Sequence, residues 1–389
     1  MKKICFIVDS LFSIGGVQRV TAVIAKELAK DYDVTIFTFD SQNKKDTSLY
    51  GLNEEDIHYR FFKYPTVGVL WNKICKAYSG VYQKFRSKSK LLSEIYAYSS
   101  FPYPLRKAFT QELNEGHYDV IIGVHAPLAS RLATMKKNIV GAKTIGWIHN
   151  SYEALFSETF RYIGAARKRH YVYQFEKLDQ VVLLCQHDAD CYYSYDKEFH
   201  PTVIYNPLTL MPGATSEGTS KRFLAVGRFS QQHKGFDLLI KAFNLFAQHN
   251  SEWVLDLVGE GPEESLYKKL IKEYHLEKRI AIHPFTNNIQ TYYSSAQVYV
   301  LSSRWEGFGL VLVEAMAHGL PIVSSDLPTS KEIMGDFGLY FKNGDVNDLA
   351  QKLEDATHMD WEANSKEALE IAKRFDIKHI IGQWKKLIE

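Results

Sequence analysis

The sequence predicts an α/β protein of two similar domains, and three observations predict it. Short apolar runs without alternation, such as residues 4–8 and 223–226, are typical of parallel strands that are buried on both faces. In each half, such a run is followed by a glycine-containing loop, a helix and a second apolar run, at residues 34–39 and 254–258. The chain has 389 residues, which is enough for two domains with full hydrophobic cores.

Composition and charge exclude several classes of protein. The 47 basic and 45 acidic residues leave a net charge of +2, so we expect no bulk nucleic-acid binding. Residues 4–8 are too short for the apolar region of a signal peptide, and no stretch of about 18 apolar residues occurs. The cysteine spacing indicates neither a metal site nor a disulfide framework and favours a reduced, cytoplasmic protein. The cysteines are Cys5, Cys75, Cys185 and Cys191.

The first domain opens with a glycine pair ahead of a helix. Gly15 and Gly16 end a turn at residues 13–16, and residues 17–29 are predicted to be helical. Backbone N–H groups at the start of such a helix can bind a phosphate. A tight connection between strand and helix is the simpler interpretation, and the glycines by themselves leave both open.

The segment 60–107 is strongly basic and aromatic. It contains ten basic residues, eleven aromatic residues and a single acidic residue, Glu94. On a helical segment, this combination favours contact with an anionic membrane surface, with the rings at the headgroup level. A solvated face and nucleic-acid binding are the alternatives. A smaller basic cluster follows at Arg161, Arg167, Lys168 and Arg169.

Two histidines follow apolar strands in the first domain. Residues 120–124 run into His125, and residues 144–148 run into His149. Ligands in open α/β sheets bind outside the carboxyl ends of the strands, so both histidines are candidate ligand-binding residues. A structural, hydrogen-bonded histidine explains either one equally well. Further strands are predicted at 181–184 and 203–205.

A small, polar stretch at residues 213–220 predicts a linker between the domains. Beyond it, Arg228 and Lys234 lie in the loop between strand 223–226 and helix 236–248. A guanidinium fork and an ammonium group both suit phosphate oxygens, although two solvated loop cations would look the same. Later strands are predicted at 280–283 and 339–341.

The stretch 301–326 is the most informative part of the chain. A strand at 298–301 passes through Glu306, Gly307, Phe308 and Gly309 into helix 310–317, and a strand follows from residue 322. The two glycines let the backbone approach a ligand, and the helix presents unpaired N–H groups that suit phosphate.

Two carboxylates bracket this loop and helix. Glu306 precedes the helix, and Glu314 lies within it, roughly 10 to 12 Å away at ~1.5 Å rise per residue. Glycosidase carboxylates are only about 5 to 9.5 Å apart. The longer spacing suits a nucleotide-diphosphate sugar, which has hydroxyl groups at both ends and phosphates between them. The alternative is that Glu306 caps the helix and Glu314 is solvated.

The two glutamates, with seven residues between them that include Gly-Phe-Gly, resemble the signature of family-4 retaining glycosyltransferases of GT-B architecture. The resemblance covers nearly the whole chain. It implies two Rossmann-like domains that face a cleft. The implied boundaries are residues 1–205 for an acceptor-side domain, 206–220 for a linker, 221–370 for a donor-binding domain, and 371–389 for a helix that returns to the first domain.

The resemblance also implies roles for individual residues. Glu306 would lie beside the donor sugar, Glu314 would hold the ribose, and His149 would reach the sugar near the scissile bond. Arg228 and Lys234 would grip the pyrophosphate. Further donor contacts are implied for Gly15, Gly16, Phe285, Gly307, Phe308, Gly309 and Leu310.

The expected activity is therefore metal-independent, retaining transfer of a hexose from a nucleotide-diphosphate sugar, with UDP expected, to an acceptor hydroxyl. The expected acceptor is a lipid-linked glycan of bacterial surface polysaccharide synthesis at the inner face of the cell membrane. No cofactor is expected. A sugar-nucleotide epimerase of the same fold and a catalytically silent glycan-binding partner subunit are the alternatives.

Overall fold

The computed structural model describes residues 1–53, 55–85, 89–157, 162–210 and 213–389. Arg86, Lys88 and Arg161, which belong to the two predicted basic segments, lie outside the described residues. The chain divides into two compact units. Unit 1 contains Met1–Tyr205 and Ile380–Glu389, and unit 2 contains Asn206–His379.

Unit 1 is built on a parallel sheet that has seven strands within the described residues, in the order β3-β2-β1-β4-β5-β6-β7. The strands are β1 (Lys3–Val8), β2 (Asp33–Thr38), β3 (Ile57–Phe61), β4 (Val120–Val124), β5 (Lys143–Trp147), β6 (Gln180–Leu183) and β7 (Thr202–Val203). The central strands are buried because helices cover both faces of a parallel sheet.

The helices of unit 1 connect these strands. They are α1 (Gly16–Leu28), α2 (Val69–Phe85), α3 (Lys90–Ser100), α4 (Tyr103–Glu115), α5 (Ala126–Met135), α6 (Tyr152–Phe156), α7 (Lys168–Phe175) and α8 (Gln186–Tyr195). The segment predicted to be helical from residue 60 therefore begins as a strand, because Arg60 lies in β3. None of the described helices is both long enough and apolar enough to cross a bilayer.

Unit 2 has a parallel sheet of six strands within its described residues, in the order β10-β9-β8-β11-β12-β13. The strands are β8 (Arg222–Val226), β9 (Val254–Val258), β10 (Ile280–His283), β11 (Val298–Leu301), β12 (Ile322–Ser325) and β13 (Leu339–Phe341). Its core includes the buried aromatic residues Phe223, Phe243 and Tyr267.

The remaining helices are α9 (Gln231–Lys234), α10 (Phe236–Phe246), α11 (Glu264–Glu273), α12 (Gln290–Ser295), α13 (Leu310–Ala317), α14 (Pro328–Met334), α15 (Val346–Thr357), α16 (Trp361–Ala372) and α17 (Ile377–Ile388). The apolar stripe at the end of the chain serves both cores. Phe375 packs on Phe308 in unit 2, whereas Trp384 of α17 packs on Trp147 in unit 1.

The predicted strands are confirmed, with ends that differ by one or two residues. Residues 213–220, which were predicted to be a linker between the domains, are part of unit 2. Ser216 is buried, its N–H donates to the His318 carbonyl at 3.0 Å, and its hydroxyl donates to the Ala296 carbonyl. A polar sequence is compatible with burial here because backbone groups satisfy its hydrogen bonds.

Candidate functional site

The candidate site in unit 2 lies where the sheet changes its direction of growth. From β8 the chain adds β9 and β10 on one side, then returns to add β11, β12 and β13 on the other. The carboxyl ends of β8 and β11 are therefore neighbours, and such a switch point is the usual ligand site of an open α/β sheet. The loop after β8 carries Arg228 and Lys234, and the loop after β11 carries Glu306.

Hydrogen bonds to two backbone carbonyls hold these two loops together. The Arg304 N–H donates to the His233 carbonyl at 2.8 Å, and the Ser302 hydroxyl donates to the Lys234 carbonyl at 2.9 Å. Gly235 permits this approach because it has a φ of 63° and because a Cβ there would lie 2.2 Å from the Ser302 carbonyl oxygen. The loop contact therefore requires a glycine at this position.

The Lys234 side chain forms a buried ion pair with Glu306. Its Nζ lies 2.6 Å from Glu306 Oε1, and the glutamate side chain is 7 % exposed. The Ser303 hydroxyl donates to the same oxygen at 2.6 Å. His233 Nε2 lies 3.7 Å from Oε2, and the His233 ring stacks on Trp305 with a centroid distance of 5.0 Å. Three side chains thus fix one carboxylate.

These neighbours keep Glu306 ionised. Burial by itself raises the pKa of the Glu306 carboxyl, but the charge of Lys234 and the contact with His233 lower it by more. The pKa therefore lies well below the ordinary carboxyl value. A carboxylate of this kind accepts hydrogen bonds from sugar hydroxyl groups and cannot serve as a general acid near neutral pH.

The two arginines near this site differ in their engagement. Arg304 makes a two-pronged ion pair with the buried Asp237, with nitrogen–oxygen distances of 3.1 and 3.0 Å. Arg228 is exposed, and no ion pair engages its side chain in the part of the chain that the structure describes. Arg228 is therefore available for an anionic ligand, whereas Arg304 is used to hold the loop.

Glu314 occupies a separate buried position on α13. Its side chain is 2 % exposed and accepts a hydrogen bond from the Tyr293 hydroxyl at 2.9 Å. The Tyr293 ring stacks on His318, whose Nδ1 lies 2.8 Å from the Glu314 carbonyl oxygen. The helix is capped by Gly309 without a side-chain hydrogen bond. The capping and solvation alternatives for the two glutamates are therefore wrong.

Most of the other predicted donor contacts of unit 2 lie between Glu306 and Glu314 in the sequence. Gly307 lies between Glu306 and the buried Phe308, and Gly309 has a φ of 87° directly before α13 begins at Leu310. Phe285 follows β10 and is partly exposed at the carboxyl edge of the sheet. An exposed ring at this edge can stack on a flat ligand.

Unit 1 has a cavity at its own switch point, between β1 and β4. The cavity has a volume of about 120 Å³, and Asp9, Gln18, Thr21 and His125 are among its lining residues. Gly15 precedes α1 and Gly16 begins it, and the Gly15 N–H donates to the Tyr50 hydroxyl oxygen at 3.1 Å. The glycine pair therefore begins the helix that forms one side of this cavity.

His149 is buried at the end of β5. It is 6 % exposed, and its ring centroid lies 4.3 Å from that of Trp147 and 5.4 Å from that of His125. Burial, followed by the nearby His125, holds the pKa of His149 well below the ordinary histidine value, so the ring is neutral at pH 7. Among the described residues, its Nε2 atom has no hydrogen-bond partner.

One group of potential metal ligands occurs among the described residues. Glu153, His187 and Cys191 have donor atoms within 4.8 Å of one another in unit 1. Two aspartates nearby are already engaged, because Asp188 accepts the Tyr152 N–H and Asp190 accepts from the Gln186 amide. This group was not predicted from the sequence, because the spacing of its three residues along the chain matches no recognised metal-binding motif.

Two family models match the chain. The model described as Glycosyltransferase Family 4 matches residues 14–210, and the model described as Glycosyl transferases group 1 matches residues 210–374. The first alone covers half of the chain. The chain belongs to glycosyltransferase family 4.

Relatives of this glycosyltransferase agree with the assignment. A glycosyltransferase of Haemophilus influenzae, described as uncharacterized, is 27% identical over 100% of both chains. The amylovoran biosynthesis glycosyltransferase AmsD of Erwinia amylovora is 26% identical and covers 87% of this chain and 85% of its own.

Solved structures show the same GT-B fold. The sucrose-phosphate synthase of Thermosynechococcus elongatus has a TM-score of 0.77 at 18% identity, covering 100% of this chain and 98% of its own. HepE of Anabaena, solved with UDP-glucose, has a TM-score of 0.75 at 20% identity, covering 100% and 99%.

Within the glycosyltransferase, the structure brings Lys234 and Glu306 into direct contact and places Glu314 in its own polar cluster. Gly15, Gly16 and His149 belong to the other unit. Sequence reasoning missed His233, Ser303 and Tyr293. The first two are close in sequence to Lys234 and Glu306, which is the only sign of their role. Nothing near Glu314 in the sequence indicates Tyr293.

Proposed function

We propose that this glycosyltransferase moves a hexose from a UDP-sugar to a hydroxyl of a lipid-linked glycan, with retention of configuration and without a metal ion. The observation that carries the proposal is the buried Lys234–Glu306 pair, together with the exposed Arg228 in the same loop as Lys234. A cation held by a fixed carboxylate, with a second cation available, is an arrangement suited to a diphosphate and a sugar.

The chemistry follows from where charge develops. As the bond between the sugar and the diphosphate breaks, negative charge accumulates on the leaving phosphate oxygens. Arg228 and Lys234 would stabilise that charge, together with the N–H groups at the start of α13. Contacts of Gly235, Ser302 and Arg304 already hold the loops that carry Lys234 and Glu306, so the Lys234 ammonium group is positioned before the reaction.

Glu306 and Glu314 take different tasks in this proposal. The ionised Glu306 would accept hydrogen bonds from hydroxyl groups of the donor sugar while holding Lys234 in place. Glu314, oriented by Tyr293, would accept from the ribose hydroxyl groups. In unit 1, the neutral His149, with its unpartnered Nε2, is a candidate sugar-binding residue. Departure and attack on the same face, with the leaving phosphate taking the acceptor proton, would give retention.

Similarity supports the proposed donor and acceptor. HepE is solved with UDP-glucose, which supports a UDP-linked donor. AmsD is described as acting in amylovoran biosynthesis, which supports a growing polysaccharide as acceptor. We also propose that the protein acts at the inner face of the cell membrane, with contact through residues 60–107, because this segment contains basic residues and exposed apolar ones.

A donor panel tests the proposal. Thermal shift and slow hydrolysis would be measured with UDP-, GDP- and ADP-sugars, with and without chelator, for the wild type and Glu306→Gln. We expect one UDP-sugar to stabilise the wild type and to be hydrolysed in chelator, with the hydrolysis lost in the variant. NMR of the product anomer would test retention.

The matched control is Arg222→Met. Arg222 forms a comparable ion pair with the buried Asp256 at 2.6 Å, but it is the first residue of β8 and lies at the opposite end of that strand from the site. This variant should lose stability and keep donor hydrolysis. Equal loss of hydrolysis in both variants, or no nucleotide sugar bound by the wild type, would refute the proposal.

A further inference from the structure

We propose that Glu153, His187 and Cys191 form a zinc site in unit 1, with a fourth coordination position open to a neighbouring cavity. This inference goes beyond the proposed transfer reaction, which uses no metal ion. It rests on the separations of the three donor atoms, on the contacts that fix the two helices carrying them, and on the cavity that adjoins them.

The two ligands on α8 share one face of that helix. His187 and Cys191 are four residues apart, which places one above the other after a single turn. His187 Nε2 lies 3.5 Å from Cys191 Sγ. With zinc–nitrogen and zinc–sulfur bonds of about 2.0 and 2.3 Å, two ligands of a tetrahedral ion lie roughly 3.5 Å apart. This pair therefore already has the separation that zinc requires.

Glu153 supplies the third ligand from α6. Its Oε1 lies 2.7 Å from His187 Nε2 and 3.8 Å from Cys191 Sγ. The corresponding separations around a tetrahedral zinc ion are roughly 3.3 and 3.5 Å. The glutamate side chain is 48 % exposed, so its carboxylate has room to move. A shift of about half an ångström would exchange its hydrogen bond with the imidazole for a bond to the metal.

Buried contacts hold α6 against α8. Asp188 is 2 % exposed and accepts the Tyr152 N–H at 2.9 Å. The Tyr152 ring packs edge-on against the buried Tyr192, with a centroid distance of 4.9 Å. Tyr152 directly precedes Glu153, and Asp188 directly follows His187. The ligands from the two helices are therefore held close together before an ion binds, which lowers the entropic cost of binding.

A cavity of about 370 Å³ adjoins the ligands on α8. His187 and Cys191 line it, together with Tyr152, Asp190 and Tyr195 among others. Three protein ligands leave one tetrahedral position of a zinc ion vacant, as in zinc sites that bind a water molecule or a further ligand. The cavity gives that position access to solvent, and the Asp190 carboxylate makes its wall favourable for a cation.

The chemistry of the ligands selects the metal. A thiolate and an imidazole suit Zn²⁺, whereas Ca²⁺ and Mg²⁺ take oxygen ligands. The Cys191 thiol releases its proton to solvent as the zinc–sulfur bond forms. The thiolate and the Glu153 carboxylate then cancel the two charges of the ion. Neutrality matters because the Lys168 ammonium is near, 5.0 and 4.6 Å from the ring centroids of Tyr152 and Tyr195.

Calorimetric titration of the metal-free full chain with Zn²⁺ tests the site. We expect one zinc ion per chain, with a binding heat that depends on the buffer because one proton is released. Mg²⁺ should give no binding heat. His187→Gln and Cys191→Ser should each weaken zinc binding by at least about a hundredfold, because each removes a ligand.

His58→Gln and Cys75→Ser are the matched controls. His58 forms a surface pair with Asp33 at 3.4 Å, and Cys75 is a buried thiol of α2. Both variants should bind zinc like the wild type. Wild-type Tm in chelator should be kept by the ligand variants, which separates lost binding from lost folding. Glu153→Gln, at a half-exposed position, provides a third ligand variant and should weaken binding by at least about tenfold.

Cobalt identifies the ligands directly. Co²⁺ bound to a thiolate gives an intense charge-transfer band in the near ultraviolet, which Cys191→Ser should lack and Cys75→Ser should keep. A wild type that binds no zinc would overturn the inference. So would zinc binding that is unchanged in His187→Gln and Cys191→Ser, because the three side chains would then only hydrogen-bond α6 to α8.

Donor hydrolysis in chelator separates this inference from the proposed function. The metal-free chain should keep that hydrolysis, because zinc at α6 and α8 takes no part in the proposed transfer. Zinc binding without donor hydrolysis would remove only the proposed function, and hydrolysis without zinc binding would remove only the zinc site.

Discussion

Replacing Lys234 by methionine leaves the Glu306 carboxylate buried without its main counter-charge. The carboxylate is 7 % exposed and would keep only Ser303 and His233 as polar neighbours. Breaking a buried pair from one side costs about 3 kcal/mol or more, because the remaining charge has lost its solvation. In a unit of about 170 residues, this corresponds to a fall in Tm of about 6–12 °C.

The double variant Lys234→Met/Glu306→Gln removes the charge as well as its partner. Replacing both members of a buried pair is often neutral or stabilising, so the double variant should recover most of the lost Tm. Activity should behave differently. Lys234→Met and the double variant should both lose at least about a hundredfold in kcat, because the cation that stabilises the leaving group is absent from both.

Differential scanning calorimetry gives Tm, and transfer from the UDP-sugar found in the donor panel gives kcat. Stability that returns in the double variant without activity is the expected signature of a functional ion pair. Two results would refute the reasoning. One is a single variant as stable as the wild type, and the other is a double variant whose activity returns together with its stability.

The same pair predicts a pH dependence. The pKa of Glu306 is lower in the folded protein than in the unfolded chain, where it takes the ordinary value of 4.5. Its stabilising contribution is therefore fully present above that value and is lost as the pH falls through it toward the folded pKa. Wild-type Tm should drop more steeply than that of Glu306→Gln as pH is lowered from 6 to about 3, and parallel curves would contradict the assignment.

Two further variants test the surroundings of the site. Tyr293→Phe removes the hydrogen bond to the buried Glu314 carboxylate, so we expect the free energy of unfolding to fall by about 1.5–3 kcal/mol and donor binding, measured by calorimetry, to weaken. Its control is Tyr267→Phe, which should change neither stability nor donor binding, because the buried Tyr267 hydroxyl has no partner among the described residues. Gly235→Ala should lower kcat by more than about tenfold, because its Cβ would meet the loop that carries Glu306. Its control is Gly344→Ala, at a φ of 86° with open space around it, which should lower the free energy of unfolding by only about 1 kcal/mol and leave kcat unchanged.

The elements that could be predicted share a simple physical signal. Strands buried on both faces need continuous apolar runs, so residues 4–8 and 298–301 can be recognised as strands from the sequence. The strand Ile57–Phe61 was missed because it lies at the sheet edge and carries the polar His58 and Arg60. An edge strand that is only partly buried has no need of a continuous apolar sequence.

The candidate site was predicted in its residues but not in its contacts. The spacing of Glu306 and Glu314 around a glycine loop was sufficient to indicate the family. Neither their burial nor their partners could be obtained that way. The burial of the polar stretch at residues 213–220 could not be predicted from the sequence either, because its polar groups are satisfied by backbone carbonyls of elements distant in the chain.

The sequence by itself determined the α/β class, the parallel strands and the candidate residues for the chemistry, because each depends on local pattern and composition. Only the tertiary structure decided that Lys234 pairs with Glu306 and that Tyr293 orients Glu314. Lys234 and Glu306 are 72 positions apart in the chain. They meet because β8 and β11 are neighbours in the sheet, and that adjacency is a property of the folded topology.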